Sequence, residues 1–145
     1  MLVFVQSSER LIRSRRLAVY LAMMLALPVL ALSQSHVIEV MADKDSRYRI
    51  AGQSKPEIVL KAGEPVLLKV NARKGKTWNR DGAVHGFTLL TKDKKKVAGW
   101  DIELKAGAQE FSLVAPTEPG EYTVLCTVVC SEDHENMHMR LVVVP

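Results

Sequence analysis

The sequence predicts an all-β domain from residue 34 to the C-terminus, residue 145, preceded by a short hydrophobic helix within residues 1–33. Three observations carry this. From His36 onward apolar and polar residues alternate in runs of four to eight, the period of a strand with one buried face. Between the runs lie KAGEP, ARKGKTWNRDG, LKAGA and APTEPG, which supply the Gly, Pro, Asp and Lys of turns. No sustained 3.6-residue periodicity follows residue 34.

The N-terminal segment comes first in the chain. Arg10, Arg13, Arg15 and Arg16 precede the uncharged run Leu17 to Leu32, and a polar SQS follows. This is the arrangement of a secretory signal, with Ala31 and Ser33 placed for cleavage. An uncleaved membrane anchor is the rival reading. Sixteen helical residues span only about 24 Å, against a hydrocarbon core of ~30 Å. Either way the arginines stay inside and the domain from residue 34 is expected outside the cytoplasm.

The strands follow in order: HVIEVM (36–41), EIVLK (57–61), PVLLKV (65–70), AVHGFTLL (83–90), QEFSLVA (109–115), EYTVLC (121–126) and MRLVVV (139–144). YRIA (48–51) and VAGWDIEL (97–104) are weaker candidates. Short strands at regular spacing suggest an antiparallel sandwich with one core. Its expected core is Ile58, Leu60, Val66, Leu68, Phe87, Phe111, Leu113, Tyr122, Val124, Leu141 and Val143. Trp78 and Trp100 fit either packing or a role at the sandwich end. The run KDKKK (92–96) reads as a solvated turn.

Charge excludes one class of function. The calculated pI is about 9.2. However, four of the 20 Lys and Arg precede residue 17, and from residue 34 onward 16 basic face 15 acidic residues. No basic stripe interleaved with aromatics appears, so nucleic acid is not an expected partner. No Ser–His–Asp grouping or Gly-rich phosphate loop suggests an enzyme.

The chemistry gathers in CTVVCSEDHENMHM, residues 126–139, which holds both cysteines of the chain. Outside the cytoplasm a disulfide between them is the plain structural reading. It leaves His134 and Met137 unexplained. Two thiolates, an imidazole and a thioether are a soft donor set that selects copper over Mg, Ca or Mn. Zinc takes Cys and His, but a Met argues against a structural zinc site. A second imidazole is offered by His85, flanked by the apolar Val84 and by Phe87. Met139 competes with Met137, since residues two apart on a strand share a face. His138 and His36 read as surface residues, and Glu132, Asp133 and Glu135 as a hydrophilic rim able to attract a basic partner.

Cys126-x3-Cys130-x3-His134-x2-Met137, with His85 some forty residues upstream, resembles the dinuclear copper (CuA) motif of subunit II of haem–copper oxidases and of the C-terminal domain of nitrous oxide reductase. APTEPGEYTVLC is similar to the cupredoxin run into the metal loop. The resemblance implies a cupredoxin Greek-key sandwich over roughly residues 36–145. It implies that Cys126 and Cys130 each bridge two copper ions, that His85 and Met137 complete one and His134 the other, and that the Val128 carbonyl is a weak ligand. It further implies a one-electron carrier whose partner is a c-type cytochrome or a terminal oxidase or reductase. The sequence departs from the family in places. Oxidase subunits usually carry Glu or Gln where Val128 stands, and an aromatic-rich electron-accepting segment where this chain has DKDSRYRIAG with Tyr48 alone. A mononuclear cupredoxin using His85, Cys130, His134 and Met137, a copper-delivery protein, and a disulfide-stabilised binding domain remain open at this stage.

Overall fold

The computed structural model describes residues 34–76 and 81–145. The expected N-terminal helix and Trp78 lie outside the described residues. Among the described residues the chain forms nine strands: β1 (His36–Asp43), β2 (Arg47–Arg49), β3 (Glu57–Lys61), β4 (Pro65–Ala72), β5 (Ala83–Leu90), β6 (Lys96–Lys105), β7 (Gly107–Val114), β8 (Gly120–Leu125) and β9 (His138–Val144). A single 3₁₀ turn, His134–Asn136, lies between β8 and β9.

The strands make two sheets, ordered β2-β1-β4-β7 and β3-β9-β8-β5-β6. Their inward faces share one core. Alternation puts Ile38, Val40 and Ala42 of β1 inside, in register with Leu68, Val70 and Ala72 of β4. In the second sheet Tyr122 and Val124 lie opposite Leu141 and Met139. Trp100 is a packing residue: it is buried, stacks on Phe87, and its indole N–H donates to the Val114 carbonyl at 2.8 Å. That bond ties an edge strand of one sheet to an edge strand of the other.

Three expectations need correction. The sandwich is mixed, because β1 runs parallel to β4 and β3 parallel to β9. A period-two pattern sets which face is buried, not which way the neighbour runs. Of the weaker candidates, VAGWDIEL sits inside a ten-residue strand, whereas YRIA overlaps β2 only at Tyr48 and Arg49. Phe111 and Leu113 are half-buried, because β7 is an edge strand whose inward face is only partly covered. The turn at KDKKK is as expected. Lys94 adopts φ 60° there, and the run is exposed.

Candidate metal centre

The loop between β8 and β9 is closed at its base, where Cys126 N–H donates to the Met137 carbonyl at 3.0 Å. Inside this closure the cysteines are free and buried. Their Sγ atoms lie 3.7 Å apart. A disulfide requires about 2.05 Å, so the two thiols are unbridged. Met137 Sδ is 3.9 Å from Cys130 Sγ, and the Val128 carbonyl accepts from the Cys126 thiol at 3.2 Å.

His85 arrives from β5, the neighbour of β8. One of its ring nitrogens and the two sulfurs all lie within 4.8 Å of one another. The ring is fully buried. Nε2 sits 2.8 Å from the Arg73 carbonyl, and a carbonyl only accepts, so Nε2 carries the proton. Nδ1 is then a bare lone pair, buried and without a hydrogen-bond partner. Such an orphan costs about 1–3 kcal/mol unless something occupies it. A second-site hydrogen bond on one nitrogen with the other left bare is how proteins orient a metal-binding imidazole.

His134 does not join this cluster. It lies on the 3₁₀ turn, half-buried, with Nδ1 3.1 Å from the Ser131 carbonyl. Met137 and Met139 are both buried, but Met139 lies in β9 opposite Val124 while Met137 precedes the strand. His138 is exposed, as is His36, which pairs with Glu64 at 2.9 Å. Glu132, Asp133 and Glu135 are exposed around the loop.

The thiols ionise as a pair, and the proton leaves Cys130 first. The hydrogen bond from Cys126 lowers the Cys130 pKa to about 4, with Ser46 helping and burial opposing. The same bond, then burial, pushes Cys126 up. One thiolate beside a bare imidazole nitrogen is a soft, ready donor pair.

Four contributors gave no sign in the sequence. Gly86 N–H donates to Cys126 Sγ at 3.2 Å. A Cβ at this position would stand 2.7 Å from Thr127 N and 2.8 Å from Thr127 Oγ1, so only glycine permits β5 to approach the loop. The buried Tyr48 hydroxyl donates to the Gly86 carbonyl and so holds that peptide in place. Ser46, also buried, contacts both Cys130 Sγ and Ser131 Oγ. Thr88 donates to Asp101 at 2.8 Å and meets Thr127 Oγ1 at 2.9 Å, which fixes the first residue of the loop after Cys126. A polar cleft of about 520 Å³, lined in part by Ser46, Arg47, Tyr48, Asp133 and His138, runs beside the loop.

No protein-family profile and no curated protein matches the sequence. Solved structures do resemble the fold. Reduced auracyanin from Roseiflexus castenholzii is 17% identical over 77% of this chain and 98% of its own, with a TM-score of 0.51. Auracyanin A, a "blue" copper protein from Chloroflexus aurantiacus, is 19% identical over 77% of this chain and all of its own, with a TM-score of 0.50. A chain of a haem–copper terminal oxidase dimer is 17% identical over 96% of this chain and 95% of its own, also at 0.50. These identities speak for the fold alone: the described residues share the two-sheet β-sandwich of these structures.

Proposed function

We propose that the chain is a one-electron carrier that binds copper outside the cytoplasm in a dinuclear, CuA-like centre. The observation that carries this is the bare, buried Nδ1 of His85 beside two unbridged thiols, within the closed loop that also holds Met137 Sδ. The donor set fits a soft metal. Cys126 and Cys130 would bridge, His85 and Met137 would hold one copper, and His134 with the Val128 carbonyl the other. When bound, copper held by these residues would supply one-electron redox chemistry.

The protein's own contribution is a fixed, dry cage. His85, Cys126, Cys130 and Met137 are all buried, which excludes water. The sandwich rim and the Arg73, Gly86 and Tyr48 hydrogen bonds hold the donors in place, so little has to move when charge changes. Val128 has no carboxylate to connect the site to a further metal. Glu132, Asp133 and Glu135 would attract a basic redox partner, such as a c-type cytochrome, or face an oxidase or reductase.

The separation of His134 from the cluster favours a second reading, a mononuclear copper site. Copper counting with EPR decides between them. Two ions per chain and a hyperfine pattern from two equivalent nuclei are expected. One ion per chain gives the mononuclear reading, and an intact Cys126–Cys130 disulfide in copper-replete protein rejects both.

A further inference from the structure

The two sulfurs receive hydrogen bonds of different kinds. Cys126 takes a backbone N–H from Gly86 at 3.2 Å, whereas Cys130 faces the Ser46 hydroxyl at 3.6 Å. Ser46 lies 84 positions before Cys130 in sequence, in the turn between β1 and β2, and is 3% exposed. Its backbone is held at φ 60°, a left-handed conformation that strains a non-glycine residue and persists only where the surroundings impose it. Beyond Ser46 stands Ser131 Oγ, which in turn accepts from Asp133 N–H at 3.1 Å.

A metal-bound Cys130 would be a thiolate, which only accepts, and the protons in this row are then ordered. Asp133 N–H donates to Ser131, the Ser131 hydroxyl to Ser46, and the Ser46 hydroxyl to the Cys130 sulfur. Each donor polarises the next, which strengthens the last bond of the chain. Resting on the copper reading above, we propose that Ser46 is a positioning residue for the electron-transfer centre. Its hydroxyl withdraws charge from the Cys130 thiolate, raises the reduction potential, and makes the two bridging sulfurs unequal. A hydrogen-bonded thiolate donates less charge to copper, and hydrogen bonding around the Cys sulfur tunes copper potentials. The less positive, reduced site is therefore favoured while the hydroxyl is present.

The test uses Ser46→Gly, because glycine adopts φ 60° without strain while the change removes the hydroxyl together with its Cβ. Ser131→Ala removes the link behind it. Lys94→Gly relaxes the other left-handed non-glycine residue among the described residues, in the β5–β6 turn, and serves as the control. Copper per chain, the reduction potential by redox titration, the EPR spectrum and the melting point of the metal-free protein are read on all four proteins. Ser46→Gly should keep the parent's copper count and a metal-free melting point at or above the parent's. Its reduction equilibrium should shift about tenfold toward the oxidised form, equivalent to about 59 mV for one electron. Ser131→Ala should shift it in the same direction by less, and Lys94→Gly not at all. An unchanged or raised potential in Ser46→Gly overturns the inference. If Ser46→Gly fails to fold, an unchanged potential in Ser131→Ala overturns it instead. One copper in the parent would reject the dinuclear reading while leaving the Ser46 shift to be read on the Cys130 site. A parent that binds no copper rejects both.

Discussion

Substituting Gly86 by alanine tests whether the approach of β5 to the ligand loop is as tight as the geometry requires. Gly86 has an ordinary backbone angle, so alanine alone would gain about 0.5–1 kcal/mol from lost unfolded-state freedom. Against this, the new Cβ would stand 2.7 Å from Thr127 N, 2.8 Å from Thr127 Oγ1 and 3.3 Å from Val128 N. Two of these are backbone atoms, which no rotamer change can move. Thr127 is further held by its hydroxyl contact with Thr88. Relief requires the loop and β5 to part by several tenths of an ångström, which stretches the Gly86 N–H bond to Cys126 and the Tyr48 bond to the Gly86 carbonyl. Overpacking of this kind costs about 1–3 kcal/mol. With two hydrogen bonds weakened, the net loss should be about 2 kcal/mol. For a domain of this size that lowers the melting point by about 8 °C. Thermal melts of the metal-free protein and competition with a copper chelator read the two consequences, loss of stability and loss of copper affinity. Gly99→Ala is the comparison: it stands at φ 78° in open space, so it carries strain but no clash and should leave copper affinity unchanged. A Gly86→Ala protein that melts with the parent and binds copper equally well would refute the reasoning.

Cys126→Ser and Cys130→Ser should each abolish the two-copper spectrum, whereas Met137→Ala should retain two coppers and shift the potential. Met139→Ala, a core truncation opposite Val124, should lower the melting point and leave the potential in place, and a reversed pattern in metal counting and redox titration would exchange the two methionines. Val128→Ala should keep copper bound, because only its carbonyl faces Cys126, yet cost about 1.5 kcal/mol in a thermal melt, since its side chain is buried. Asp101 is held below its usual 3.8 by the hydrogen bond from Lys96 and then by that from Thr88. A carboxylate lowered on folding stabilises above its unfolded pKa and loses that contribution as pH falls through the folded value. Asp101→Asn should therefore lower the melting point at neutral pH by a small amount and converge with the parent once the pH has fallen through the lowered Asp101 pKa. Curves that stay parallel at low pH would show that the pair contributes nothing through ionisation.

The strands were legible because each buried face recurs every second residue. EIVLK shows this and matches β3 to the residue; AVHGFTLL matches β5 to the residue although that strand is buried along nearly its whole length and does not alternate. Direction was not legible: nothing in HVIEVM or PVLLKV says that β1 and β4 run parallel, because the chain between them passes through the other sheet. The donors in the 126–137 loop stood out because four soft ligands fell within twelve residues. What surrounds them did not. Ser46 reads as one more polar turn residue, and only the fold carries it to Cys130. Gly86 reads as a weak point in a strand, and its need appears only when Thr127 is seen against it.

The same contrast accounts for the unequal placement of the candidate ligands. Cys126 and Met137 are pinned to each other by the backbone bond that closes the loop, and Cys130 lies against both. His85 is placed by strand pairing: β5 meets β8 through Thr88 and Leu125, and the Arg73 carbonyl then fixes its ring. Each of these four side chains is therefore positioned by the sandwich or by the loop closure itself. His134 is positioned only by the short turn it begins. There its N–H reaches the Ser131 carbonyl at 3.4 Å, its carbonyl accepts from Met137 N–H, and its ring leans back onto Ser131. No strand and no buried partner among the described residues holds it toward the sulfurs. A ligand set by a local turn alone has the least framework to preorganise it. His134 is accordingly the donor whose capture distinguishes a dinuclear centre from a mononuclear one, and His134→Ala should convert a two-copper protein into a one-copper protein in metal counting and EPR. Retention of two coppers in that variant would remove His134 from the site.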